Sequence, residues 1–320
     1  MSESKYFVFE RFKQGNLRNL TDKREGEMKM GFTLANQKDA KYIIIGVEES
    51  IGPRANHGRA GAENGFDAFL NTFLNMQANE TLAGDEVHIL GKVSLREEPD
   101  VDLRKVVSEL DDFLFDLLVE NVKEGQIPIV IGGGHNNAFP LIKFSAHQSN
   151  SPISVINLDA HADYRLLEGR HSGNSFSYAF QAGYMNEYYV LGLHQRYNSQ
   201  HIINQLRNDK HYFTFHEDYL FGSRNYHEDF ANLYELLSEK KHFVGLELDL
   251  DTIERMPSSA YTPVGIPIEL ARIYINRLGK LEKIAYLHLP EGAPSNETEN
   301  RIVGKTLAYL VSDFIVANAC

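Results

Sequence analysis

Asp159, His161 and Asp163 stand two residues apart in NLDAHADYR (Asn157–Arg165), directly after the apolar run Ile153–Ile156. Side chains two apart in an extended segment leave it on the same side. Two carboxylates and an imidazole therefore crowd one face at the end of a buried strand, where without a cation they would repel and desolvate one another. In an exposed loop the same aspartates could instead cap a helix or a turn; the apolar run ahead of them favours metal ligation. The pattern recurs in ELDLD (Glu247–Asp251), which places Asp249 and Asp251 two apart at another strand end. His135 follows three glycines in GGGHNN (Gly132–Asn137), after the strand IPIVI. Two histidines and four aspartates exceed the needs of one ion, and bridging carboxylates would let two ions share them. Oxygen and imidazole donors without sulfur favour Mn²⁺ over Fe²⁺, Co²⁺, Zn²⁺ and Ni²⁺. That chemistry is a binuclear hydrolase site.

Ligands so placed require a sheet. Apolar runs predict strands at Lys41–Val47, Val87–Leu90, Ile127–Ile131, Ile153–Leu158, Tyr188–Leu193, His211–Phe215, Phe243–Leu250 and Ile284–Leu289. Helical spacing predicts helices at Phe66–Gln77, Leu103–Lys123, Ala138–His147, Phe176–Ala182, Ile202–Asn208, Tyr226–Glu239, Pro267–Leu278 and Glu297–Ile315. Alternation of strand and helix implies an α/β fold, a central mostly parallel sheet with helices on both faces. In such sheets ligands sit beyond the carboxyl ends of the strands, which is where His135, Asp159, Asp249 and Glu291 all fall. Residues 1–35 are charged and turn-rich, an extension wrapped on the domain, and without a Pro/Ser-rich linker the 320 residues read as one domain.

Other motifs carry less. GGGHNN lacks the third glycine of a dinucleotide fingerprint, and Gly304-Lys305-Thr306 has Glu299 where a phosphate-binding loop needs its first glycine. His57, His194 and His288 read as structural histidines; HEDY (His216–Tyr219) and HEDF (His227–Phe230) read as a surface turn and a helix start. A formal charge of −12 argues against nucleic acid or an anionic membrane as partner, yet leaves room for a small anionic substrate met by local arginines. The single cysteine, Cys320, excludes a disulfide within the chain and a cysteine metal cluster. With no signal peptide and no membrane-length apolar run, the expected location is the cytoplasm.

Assembled, the GGGH turn, DAHAD and D-x-D resemble the ureohydrolase superfamily of arginases, agmatinases, formimidoylglutamases and guanidino-acid hydrolases. HGRAGAENG (His57–Gly65) and the E-x-x-P of Glu291–Pro294 are similar to its early loop and late acidic motif, so the resemblance runs from about Gly46 to Pro294. It implies a three-layer arginase-like fold, two Mn²⁺ ions and a homo-oligomer. One ion would take His135, Asp159, Asp163 and Asp249; the other would take Asp159, His161, Asp249 and Asp251. Asp163 would accept the proton of the attacking hydroxide, and Glu291 would hold the cationic N–C–N end of the substrate. Arg165 stands where arginases typically carry asparagine and where formimidoylglutamases resemble this chain. It suits a carboxylate-bearing substrate such as N-formimidoyl-L-glutamate, in histidine breakdown, although a structural ion pair is the other reading of it. His171, Ser172 and Asn174 of HSGNSF are further substrate candidates; arginases resemble SGNLHG here and use that histidine as a proton shuttle, where this chain has Phe176. Glu247 and Glu254-Arg255 depart from a serine and an Asp-Pro pair in many relatives. The resemblance therefore points to hydrolysis of formimidoylglutamate, with arginine or another guanidino acid as the alternative, and a catalytically silent metal-binding homologue as the rival class.

Overall fold

The computed structural model describes residues 4–319, so Cys320 lies outside them. β2 (Tyr42–Glu48), β4 (Ile127–Ile131), β5 (Ile153–Leu158) and β8 (Val244–Leu248) are buried almost throughout, as continuous apolar runs covered on both faces must be. With β1 (Phe7–Arg11), β3 (Val87–Leu95), β6 (Met185–Leu193), β7 (Tyr212–Phe215) and β9 (Ile284–Leu289) they form one nine-stranded sheet. Its order is β1-β3-β2-β4-β9-β8-β5-β6-β7, and every pairing is parallel except β1 with β3.

The helices divide between the two faces. Gly65–Phe73, Tyr226–Ser238, Ile268–Leu278 and Glu297–Asn318 bury Phe69, Phe230, Tyr274 and Phe314 in one apolar layer. Leu103–Asn121, Ala138–Ser149, Ser175–Gln181 and Gln200–Asn208 bury Leu110, Leu141, Phe176 and Ile203 in the other. The expected three-layer α/β architecture is present. No helix among the described residues is long and apolar enough to cross a membrane.

The amino-terminal segment is more regular than its charge implies. Tyr6 and Phe7 are buried, and Phe7–Arg11 adds an antiparallel edge strand along Gly91–Leu95. Two partners carry β3 past the predicted Leu90, β1 along Gly91–Leu95 and β2 as far as Ser94: a strand continues as long as something pairs with it. HEDY likewise forms a short helix, His216–Leu220, rather than a turn.

Strand order brings distant segments of the chain together. β4 and β5 are consecutive in the chain but separated in the sheet by β8 and β9, which begin about ninety and about 125 residues later. The four neighbours β4-β9-β8-β5 direct their carboxyl ends to one edge.

Gly304, whose phosphate-loop reading failed, has a packing role. A Cβ there would collide with the Ala68 carbonyl and the Thr72 hydroxyl of the helix Gly65–Phe73. Gly304→Ala should therefore lower stability by about 1–3 kcal/mol, although alanine is the better helix former; thermal unfolding of the two proteins measures it, and an equal or higher Tm refutes the close-approach account.

Candidate metal centre

The turn after β4 requires glycine. Gly132 and Gly133 have φ of +84° and +67°, in the left-handed region, and a Cβ on Gly133 would strike Asn137 and Glu49. This turn carries the His135 ring, fully buried, over the sheet edge. Its Nδ1 lies 3.2 Å from Asp159 Oδ2, 3.0 Å from Asp163 Oδ2 and 3.0 Å from Asp249 Oδ2. A second group lies beside it: His161 Nδ1 is 3.1 Å from Asp251 Oδ2 and 3.7 Å from Asp159 Oδ1. The six predicted ligands thus fall into two sets joined by Asp159, with ligand atoms in each set within 4.8 Å of one another. Asp249 belongs to the His135 set; its Oδ1 accepts the Asp251 N–H at 2.8 Å.

The local chain explains this convergence. Asp159 follows β5 directly and Asp249 follows β8 directly, so adjacent parallel strands set them side by side. Asn157 donates to Asp159 Oδ2 at 2.9 Å, and Asp159 Oδ1 accepts the His161 N–H at 2.7 Å. Asp163 turns back into the cluster through a left-handed backbone (φ +44°) and Glu291 through another (φ +69°), conformations that non-glycine residues hold only at a cost met by their surroundings. Glu291 Oε1 accepts the His135 N–H at 2.7 Å, its own N–H donates to Gly133 O at 2.9 Å, and Ser259 donates to its other oxygen.

The electrostatics ask for positive charge. Burial raises the Asp163 carboxyl above its ordinary value. Asp249 is held well above it by burial and by the Asp251 and Asp159 charges. Glu291 is pushed up to about 8, chiefly by burial. Burial pulls His135 down, but its carboxylate partners overcome this and hold it well above an ordinary imidazole. A single ring proton cannot serve three carboxylate oxygens lying about equally far from Nδ1, whereas a divalent cation beside that nitrogen can. Asp251 Oδ1 is buried without a hydrogen-bond partner. The donor set and this orphaned oxygen fit a pair of hard divalent ions.

The predicted substrate residues are distributed differently. Arg165 stands about half exposed at the rim, with Nη2 and Nε 3.0 and 3.2 Å from Glu168 Oε1. The same oxygen meets His171 Nε2 at 3.2 Å, while His171 Nδ1 accepts the Gly173 N–H at 3.1 Å. Burial pushes His171 down to about 4, so the ring is neutral. Ser172 is met by Asn56 at 3.4 Å. Asn174 departs from the expectation of a substrate contact: its Oδ1 accepts from Arg170 and His171 N–H, and its Nδ2 donates to Gly169 O and Leu166 O, leaving no group to offer a ligand. Phe176 is fully buried, stacked on Tyr188 and edge-on to His135 at 5.2 Å; it supports the His135 ring from the apolar layer.

Three braces escaped the sequence reading. Glu49 accepts the N–H groups of Ile51, Gly52 and Gly134 and the side-chain amides of Asn136 and Asn137, tying the loop after β2 to the GGGH turn. Buried Arg170 joins Asp111, Asn174 and the Asn136 carbonyl. Asn198 accepts the Ala162 N–H and donates to Ala160 O, fixing the DAHAD loop. None has a periodic or spaced signature; only the E-E pair after a buried strand offered a hint of Glu49.

An α/β sheet whose four central strands carry a doubled carboxylate–imidazole cluster defines a metallohydrolase-type scaffold. The chain belongs to the arginase family, whose model matches residues 40–316. It is 27% identical over 280 residues to the formimidoylglutamase of Rhodococcus jostii (strain RHA1), covering 84% of this chain and 83% of that protein. Among solved structures it resembles a formimidoylglutamase from Bacillus subtilis (TM-score 0.77, 17% identity, 92% of this chain and 93% of that one). It also resembles a Trypanosoma cruzi formiminoglutamase with Mn²⁺ (TM-score 0.74, 20% identity, 92% and 99%).

Behind the DAHAD loop, Tyr164 donates to Asp209 at 2.9 Å and accepts from His211 Nε2 at 3.0 Å. Burial pushes His211 down to about 4 from an ordinary 6.5. The unfolded chain therefore takes up this proton first, so stability unaffected above pH 6.5 falls as the pH drops toward 4, by up to roughly 3 kcal/mol. Urea titrations at pH 7.5 and 4.5 should show this loss, and His211→Asn should shrink it; an unchanged pH difference in the variant refutes the assignment.

Proposed function

We propose that this chain is a binuclear Mn²⁺ hydrolase of linear amidines acting on N-formimidoyl-L-glutamate, which it converts with water to L-glutamate and formamide. The observation that carries the reading is the pair of ligand sets joined by Asp159, with Arg165 two residues beyond Asp163 on the exposed rim. His135, Asp159, Asp163 and Asp249 would hold one ion, and Asp159, His161 and Asp251 the other, with Asp249 contributing to both as its carboxylate reorients. When bound, two such ions supply Lewis acidity and a water acidified toward neutral pH. Membership of the arginase family and the names of the similar enzymes support the reaction class; the Mn²⁺ in the T. cruzi enzyme and the sulfur-free donor set support the metal.

The chain's own groups divide the remaining work. Asp163, only slightly exposed and with its pKa raised by burial, is suited to take a proton from the nucleophile and return it to the departing amine. Glu291 faces the cluster with one oxygen on the His135 N–H and the other on Ser259. An amidinium beside it would favour its carboxylate form and be held by a charge-assisted hydrogen bond. Arg165 would exchange its Glu168 partner for a substrate carboxylate, bound through two parallel N–H groups. Agmatine has no such carboxylate. Phe176, enclosed against His135, cannot stand in for an imidazole shuttle, which weighs against arginine as substrate. The complete ligand set weighs against a silent homologue.

Mn²⁺-loaded protein assayed side by side on formimidoylglutamate, arginine, agmatine and 4-guanidinobutyrate should show its highest kcat/KM on the first; clear preference for arginine overturns the use made of Arg165. Arg165→Met should raise KM for formimidoylglutamate about tenfold to a hundredfold, the worth of a charged hydrogen-bonding contact, with a smaller effect on kcat. Asp159→Ala should lose both bound Mn²⁺ and turnover. Retention of either by that variant contradicts the shared-ligand assignment.

A further inference from the structure

Beneath the metal-facing side of His135 lies a charge that the reaction does not use. Glu247 on β8 is fully buried, two residues before Asp249, which continues the extended backbone just past the strand, so both side chains leave it on one side. Its register neighbour on β9 is His288. Glu247 Oε2 accepts from His288 Nδ1 at 2.6 Å, Oε1 accepts from the Tyr286 hydroxyl at 2.7 Å, and Oε2 stands 3.3 Å from His135 Nε2. That nitrogen is buried without a hydrogen-bond partner, and the Glu247 carboxylate is the charged group within reach of it.

A buried carboxylate is expensive unless its lone pairs are filled and it does something an apolar residue cannot. Tyr286 and His288 fill two positions. The third faces a ring whose opposite nitrogen, Nδ1, converges with three carboxylates on the ion site. An imidazole that gives its Nδ1 lone pair to a cation must carry its proton on Nε2, and in this dry interior that N–H needs an acceptor. His135, Glu247 and His288 could instead be taken as a third cation site. The 2.6 Å His288–Glu247 contact is a filled hydrogen bond, however, and at an ion with bonds of about 2.1 Å the two atoms would subtend only about 76°, far from the tetrahedral angle such a site favours.

We infer that Glu247 is a positioning residue for the first metal ion. It accepts the His135 Nε2–H, fixes the ring in the tautomer that presents Nδ1, and increases the basicity of that ligand. Tyr286 and His288 act behind it, holding the carboxylate so that it cannot turn away. The inference rests on His135 being a metal ligand and is independent of the substrate.

The test reads metal binding. Wild-type protein titrated with Mn²⁺ should bind two ions and give the electron paramagnetic resonance signal of a coupled pair. Glu247→Gln should weaken one binding step about tenfold to a hundredfold, the usual effect of losing such a partner, and leave the step assigned to Asp159, His161 and Asp251 unchanged, so that isolated Mn²⁺ replaces the coupled signal at intermediate loading. Two steps of wild-type affinity in the variant, or equal weakening of both, overturn the role of Glu247. Failure of the wild type to bind Mn²⁺ sinks the metal reading itself. Should the variant not fold, the wild type decides alone. With ¹⁵N-histidine and diamagnetic Zn²⁺, the His135 ring must show metal on Nδ1 and an exchange-protected proton on Nε2, and the reverse tautomer or a rapidly exchanging proton refutes the inference.

Discussion

Four carboxylates brought together in a region nearly closed to water set the terms for the rest of this molecule. Asp159, Asp163, Asp249 and Asp251 repel one another and lose hydration where they stand. Only a rigid frame can hold such a group, and the frame is the adjacent set β4-β9-β8-β5. Each of these strands ends at the cluster, and the apolar layers on both faces keep the strands from relaxing apart. The core and the site are in this sense one construction: burial stabilises the sheet, and the sheet keeps the charges in place.

The ring of polar contacts around the cluster follows from the same constraint. Glu49, Arg170 and Asn198 touch the predicted substrate residues only at Asn174 and the His171 carbonyl, yet each anchors a loop whose displacement would move a candidate ligand. Asp163 and Glu291 sit in backbone conformations that cost energy and are held there by their neighbours. Opposite the buried floor, His161, Asp163 and Arg165 are the more accessible members. The centre therefore opens on one side, toward the residues most suited to meet a small polar molecule.

Much of this was legible in the sequence. The boundaries of β4, β5 and β9 coincide with their apolar runs, since strands covered on both faces show their extent in composition alone. The candidate ligands Asp159, His161, Asp163, Asp249 and Asp251 were visible because a period of two at a strand end is rare without a cause. What escaped was whatever depends on a partner distant in sequence. β1 is defined by its pairing with the second half of β3, some eighty residues away, which β2 also pairs. Asn174 is a substrate candidate only through the likeness of HSGNSF to the arginase stretch, but Arg170 and two carbonyls claim its amide. Arg165 was seen as a cation near the site, whereas its engagement with Glu168 emerges only in three dimensions.

The chain order of the sheet has a consequence for the protein's birth on the ribosome. When residues up to β5 have emerged, the place between β4 and β5 has nothing to fill it, because β8 and β9 are still to be made. Until then two apolar strands present bare backbone edges, and the aspartate after β5 and the histidine after β4 have no fixed relation. Translation of about 155 residues lies between His135, the first candidate ligand, and Glu291, the last acidic group. The nascent chain thus passes through a long interval in which it is exposed to mispairing and unable to organise a cation. The last two strands pair both edges and set Asp249 and Asp251 beside Asp159, so the two candidate ligand sets are complete only after most of the chain has been made.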